Sequence, residues 1–235
     1  MKSLFLLLFF ISLQADRILV DNAFYIDSKC DYVINKEVFT ICYDKDNKIA
    51  KWVGYELTKE ELSVHRKRED NFQEDTSIPS SFRATLYDYK RSGYDRGHLA
   101  PNADIDLTEK TQQESFLLSN IVPQNSELNR FGWNELEKYI RNLAIKNERI
   151  FVITGAISGN KTIGINRVNI PSELYKIIYI PEKNIGISFL VPNIDIDKKA
   201  IFSLTNEINF IELKTGSIFF PEVKDSSFKK NKKIL

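Results

Sequence analysis

Residues 148–191 constrain the fold more than any other part of the chain, because they read as strands almost without interruption. Arg149-Ile150-Phe151-Val152-Ile153-Thr154 is dense in β-branched residues, and residues 148–158 read as a strand that ends in a glycine turn at Gly155. Residues 170–181 and 185–191 follow, joined by Glu182-Lys183-Asn184, a connection short enough for an antiparallel pair. Alternate positions in both runs are nearly all apolar, which assigns them to a central sheet.

The remainder fits around such a sheet. Residues 22–27, 37–43 and 49–57 read as further strands, with Asp44-Lys45-Asp46-Asn47 as the turn between the last two. Thr58 with Glu61 three residues on is a capping box, which predicts a short helix over residues 59–65. Residues 66–82 are polar, contain Pro79 and read as a long loop. Helices are expected over residues 106–118, capped by Asp106 or Thr108, and from about Asn129 onward. Residues 118–124 form a return strand and loop between them. Residues 208–214 read as a helix closed by Thr215-Gly216. The class is therefore α+β: a central, mainly antiparallel sheet flanked by helices. At 235 residues the chain suits one domain, taken as residues 16–223.

The candidate chemistry lies in two places. Gly93-Tyr94-Asp95-Arg96-Gly97-His98-Leu99-Ala100-Pro101-Asn102 holds one of only two histidines. An imidazole with an ordinary pKa of about 6.5 can take a proton near neutral pH. His65, outside any motif, reads as a surface histidine. Further on, Asn129, Trp133, Glu137 and Arg141 are spaced by four, forming one stripe along a helix whose apolar side is Leu136, Ile140 and Leu143. A glutamate and an arginine four apart are a common surface pair; a tryptophan and an asparagine in the same stripe are not.

These residues carry a resemblance. Asp95-Arg96-Gly97-His98 resembles the motif of the DNA/RNA non-specific endonucleases, the ββα-metal nucleases that include endonuclease G. The rest of that family's pattern follows in order as Leu118-Ser119-Asn120-Ile121-Val122-Pro123-Gln124, Leu128-Asn129 and Trp133-Asn134, with Leu136-Glu137 next. The likeness extends over residues 52–220, and Thr154-Gly155 also fits it. It implies a ββα finger at the active site, with residues 94–101 as its second strand. It implies His98 as general base, Asn129 as the direct metal ligand, and Glu137 accepting hydrogen bonds from water on the metal. Asn120 would orient the site around the histidine. Arg96 and Arg68, the latter in Arg68-Glu69-Asp70-Asn71-Phe72, would stabilise charge on the phosphate, and Arg141 would position Glu137 or the substrate. Asp95 and Gly97 complete the motif. The implied metal is Mg2+, with Mn2+ as the alternative, since both take oxygen ligands. The implied reaction is sugar- and sequence-non-specific hydrolysis of DNA and RNA to 5′-phosphate ends. A nuclease fold that binds nucleic acid without cutting it is the rival reading; it has no need of the histidine, asparagine and glutamate together.

Charge and export complete the expectations. Lys2, the apolar run of residues 4–13 and the small Ala15 describe a secretory signal peptide over residues 1–15, too short to span a bilayer, which needs about 20 residues. A short uncleaved membrane anchor is the alternative. Export implies a secreted or periplasmic location, in which Cys30 and Cys42 pair as a disulfide rather than remaining buried thiols. Without Lys2 the 33 basic residues become 32, equal to the 32 acidic ones. A neutral chain must gather positive charge locally to hold a polyanion, for which Lys90, Arg91 and Arg96, and Arg66, Lys67 and Arg68, are the candidates. The lysine-rich segment 224–235 reads as a disordered basic tail.

Overall fold

The computed structural model describes residues 16–64 and 66–230; residues 1–15 (the expected signal segment), His65 and the last five residues lie outside the described residues. A six-stranded antiparallel sheet forms the centre, in the order β10 (Ile185–Pro192), β9 (Val168–Ile180), β8 (Arg149–Ile163), β5 (Ile49–Thr58), β4 (Thr40–Asp44) and β3 (Tyr32–Asn35). The three apolar runs that opened the sequence reading lie side by side. Their near-continuous apolar character follows from burial on both faces. Ile150, Val152, Leu174 and Ile178 pack on one side, and Phe151, Ile153, Tyr175 and Ile177 on the other.

One face is covered by α4 (Asn134–Asn147), which buries Leu136, Ile140 and Ala144. The opposite face is covered by a small sheet of β1 (Asp16–Val20), β2 (Phe24–Ser28) and β11 (Ile218–Phe219), together with α5 (Ile208–Thr215). Strands β1 and β3 were not expected from sequence. Gly216 closes α5 in the left-handed conformation, φ 69°, as a C-terminal glycine does. Cys30 and Cys42 are bonded, joining the segment before β3 to β4.

Several expectations need correction. Strand β8 does not turn at Gly155 but runs on to Ile163, kinking between Ile157 and Lys161. A Cβ at Gly155 would lie 2.1 Å from the Tyr175 ring, so the glycine admits a packed aromatic rather than a turn. The capping box at Thr58 forms, its hydroxyl donating to Glu61 at 2.8 Å, but closes only a 3-10 turn, Glu61–Ser63. The helix of residues 106–118 shortens to α3 (Glu109–Ser115), capped by Thr108, with α2 (Asn102–Ile105) before it.

Within the lysine-rich segment expected to be disordered, the described residues 224–230 pack against the fold. Ser226–Lys229 forms a 3-10 turn, Phe228 is 1% exposed against Tyr179 and Phe220, and Lys229 pairs with Glu212 at 2.6 Å. One buried aromatic ring outweighs the basic composition around it, because burying a phenyl group stabilises by about 1.5–3 kcal/mol. Phe228→Ala should therefore lower the unfolding free energy by about 3 kcal/mol, read as a shifted urea midpoint. An unchanged midpoint would mean that the tail does not pack.

Candidate active site

Two strands and a helix build the site. Strand β6 (Asp95–His98) pairs antiparallel with β7 (Ile121–Gln124), His98 opposite Ile121. Residues 95–98 are thus the first strand of the ββα unit, β7 the second and α4 its helix, whereas the sequence reading made β6 the second. Gly97 is required here: a Cβ would meet the Gln124 side chain at 2.1 Å. Asn120 is fully buried and grips the chain just past His98. Its Oδ1 accepts from the Ala100 amide at 2.9 Å, and its Nδ2 donates to the Ala100 and Ser115 carbonyls at 2.9 Å. It fixes the backbone that carries the imidazole.

The helix enters through a π-turn, Leu128–Trp133, before α4 begins. Asn125 caps it, its Oδ1 accepting from the Leu128 amide at 3.0 Å. The π-turn corrects the expected stripe. Wider winding shifts the register by about one residue, so that Asn129, Asn134, Glu137 and Arg141 line one cleft. Trp133 turns away and is 1% exposed in the core.

This cleft, of about 350 Å³, also receives Arg68, Arg96 and His98. The sequence-nominated residues His98, Asn129, Glu137, Arg68, Arg96 and Arg141 thus converge; Asn120 lies beneath. The loop carrying Arg68 is sewn to the finger: the Leu118 amide donates to the Gln73 carbonyl at 2.8 Å, and buried Asp75 accepts from Ser119 at 2.6 Å and pairs with Lys36 at 2.8 Å.

Two phenylalanines bridge imidazole and guanidinium groups. His98 lies 5.3 Å from Phe72 and 5.1 Å from Phe116, ring centre to ring centre. Arg96 sits 4.1 Å over Phe72, and Arg68 5.3 Å over Phe116. The Nε2 of His98 is enclosed without a hydrogen-bond partner, leaving Nδ1 as the nitrogen open to the cleft. Burial, reinforced by Arg68 and Arg96 and opposed by Asp70, holds the His98 pKa down to about 3.

Asp95 of the motif ties the strand to the π-turn. Its carboxylate accepts from Asn129 Nδ2 at 3.1 Å, from Arg130 twice at 2.8 Å and from Ser126 at 3.0 Å. Partial burial opposes its charge, but these donors prevail and hold its pKa below the usual range. With its amide nitrogen committed to Asp95, Asn129 has its carbonyl oxygen left for the cleft.

Glu137 is half-buried, and desolvation raises its pKa to about 7; Asp104 pushes the same way, against Lys176, Arg141 and Arg68. Arg141 does not bond Glu137. It donates to Asp104 at 2.8 Å, and Asp104 also accepts from the Tyr55 hydroxyl at 2.7 Å. Lys176, 0% exposed on β9, donates to Thr154 Oγ1 at 2.8 Å and lies 5.1 Å over the Trp133 ring. Asp104, Lys176 and Tyr55 carried no signal in sequence beyond being polar positions within apolar runs.

The donor set suits a hard divalent cation: an asparagine carbonyl and a half-buried carboxylate that makes no ion pair among the described residues, both oxygen donors. Among the described residues no group of three or more His, Cys, Asp or Glu side chains gathers to cage a metal. A cation here would keep most of its water.

The chain is similar to known proteins along most of its length. Residues 23–226 match the family model described as DNA/RNA non-specific endonuclease. Nuclease C1 of Cunninghamella echinulata var. echinulata is 33% identical over 215 residues, covering 83% of this chain and 84% of that protein. Human mitochondrial endonuclease G is 32% identical over 206 residues, covering 80% and 69%. A solved EndoG/EndoGI complex superimposes with a TM-score of 0.79 at 30% identity, over 83% of this chain and 88% of its own.

The electrostatics of the cleft give a direct test. The folded pKa of His98 lies below its unfolded value of about 6.5, so the folded chain binds fewer protons between the two. The stability contributed by neutral His98 is complete above pH about 6.5 and declines as pH falls toward 3. In the metal-free protein its imidazole NMR resonances should stay unshifted from pH 8 to about 5; a midpoint near 6.5 would refute the enclosure.

Proposed function

The chain belongs to the DNA/RNA non-specific endonuclease family, a family of divalent-metal-dependent nucleases, and on that premise we propose how its own residues cut the phosphodiester. The observation that carries the proposal is the convergence of His98, Asn129, Glu137, Arg68 and Arg96 on one cleft.

His98, neutral at working pH, takes the proton from the attacking water through Nδ1. Burial favours this role by disfavouring the imidazolium before reaction. Arg68 and Arg96, held against Phe116 and Phe72, face the phosphate and stabilise the charge that builds on its oxygens. Asn129 and Glu137 would hold Mg2+, Asn129 through its carbonyl oxygen and Glu137 through water, with Mn2+ as the alternative. A divalent cation held there would supply charge stabilisation to the phosphate and the leaving 3′ oxygen, consistent with 5′-phosphate ends. Arg141 acts at one remove, fixed by Asp104 along the cleft wall. Backbone and metal contacts carry no base information, which supports cleavage of both DNA and RNA without sequence preference. Export with cleavage after residue 15, to a secreted or periplasmic location, is part of the same proposal, and the Cys30–Cys42 bond supports it.

Three outcomes test the reading. Purified protein should nick supercoiled DNA and degrade RNA with Mg2+, and lose both activities in excess chelator. His98→Ala should lower kcat by about 10²–10⁴-fold with the unfolding midpoint retained; near-full activity would remove His98 as the base. Glu137→Gln should raise the Mg2+ concentration for half-maximal rate by about 10–100-fold, and an unchanged titration would exclude its part in holding the metal.

A further inference from the structure

A second cleft of about 570 Å³ adjoins the catalytic one, and Arg96 and Asn129 line both. Its remaining walls include Phe72, Leu86, Tyr94 and Lys90. Leu86, 42% exposed, stands on the short helix α1 (Leu86–Tyr89), with Tyr87 beside it 79% exposed. Lys90 lies 5.8 Å from the Tyr87 ring at the rim. Arg91 and Gly93, at φ 58° and 84°, then turn the chain, and Tyr94 follows into the lining of the same cleft just ahead of β6. A non-glycine residue in the left-handed region costs of order 1 kcal/mol or more, and such positions cluster where a loop is shaped for a ligand. The two carboxylates of this cleft are paired with arginines, Asp70 with Arg68 at 2.8 Å and Asp95 with Arg130 at 2.8 Å; among the described residues Lys90 and Arg96 make no ion pair.

Aromatic and aliphatic walls under a cationic rim match the chemistry of a nucleotide: a flat, largely apolar base and an anionic phosphate. Resting on the nuclease reading above, we infer that this cleft is a nucleotide subsite that takes the residue adjoining the scissile phosphate, its base unstacked between Tyr94, Leu86 and Arg96 and its phosphate toward Lys90. A base can enter only after leaving its neighbours, so the subsite selects single-stranded or locally opened nucleic acid. Every base presents a π-face, so the cleft tolerates all four.

The test is a binding cycle in chelator, where no cleavage occurs. A fluorescein-labelled single-stranded DNA octamer, and variants with one abasic position walked along it, are titrated with wild-type protein and with Tyr94→Ala. In the wild type one position should lose about tenfold in affinity when abasic, from lost base stacking. Tyr94→Ala should lose a similar factor with the full octamer and lose little more at that abasic position. A flat abasic scan, or losses that multiply independently, overturns the inference. If Tyr94→Ala fails to fold by thermal melting, Leu86→Ser, at an exposed position, takes its place in the cycle under the same criteria. Cleavage of plasmid DNA by wild type with Mg2+ is measured in parallel. Cleavage without the coupled losses sinks the subsite alone; coupled losses without cleavage sink the nuclease reading alone.

Discussion

The Asp95 carboxylate is the interaction on which the site depends. It accepts four hydrogen bonds from Ser126, Asn129 and Arg130, all at the entrance to the helix, while His98 stands three residues along the same strand. One side chain thereby ties the strand of the imidazole to the cleft-lining carboxamide of Asn129, and engages that carboxamide by its nitrogen. A charge-assisted hydrogen bond is about twice as strong as a neutral one, which suits a joint between two otherwise independent elements. Gly97 and Asn120 complete the joint from the other side, by letting β7 approach and by pinning Ala100.

Below that joint the protein keeps charge where packing would favour hydrocarbon. Lys176 and Asp104 are buried, Glu137 and Arg141 of α4 are half-buried at the cleft, and Tyr55 is bonded to Asp104. Replacing such groups with apolar ones is often neutral or stabilising, so stability alone does not account for them. Their placement accounts for them better. Glu137 faces the cleft, Asp104 anchors Arg141 on the cleft wall, and Lys176 lies under the Trp133 ring at the end of the π-turn. The desolvation falls where a half-buried carboxylate and a half-buried imidazole share that cleft.

Much of this was legible along the chain. The apolar alternation of residues 170–191 placed β9 and β10, and short-range chemistry fixed the caps at Thr108 and Gly216. The Asp-Arg-Gly-His motif and Asn129 pointed to the cleft because motif residues sit at fixed local spacing. Most of what failed turned on contacts between residues distant in sequence, and one miss on a local change of winding. Gly155 suggested a turn until Tyr175 from the next strand filled its space. A spacing of four put Trp133 beside Glu137, but the π-turn inserted extra winding and sent the indole into the core. The basic composition of the tail hid the single Phe228 that docks it.

The sequence by itself determined the family, the strand-rich class and the nomination of the groups that converge on the cleft, because those are properties of residue type and local spacing. Only the tertiary structure decided that the imidazole is enclosed by Phe72 and Phe116, that Arg141 answers to Asp104, and that Lys176 comes to rest beneath the site. Burial and long-range electrostatics arise when segments separated by tens of residues share one small volume, and no local pattern along the chain encodes which segments those are.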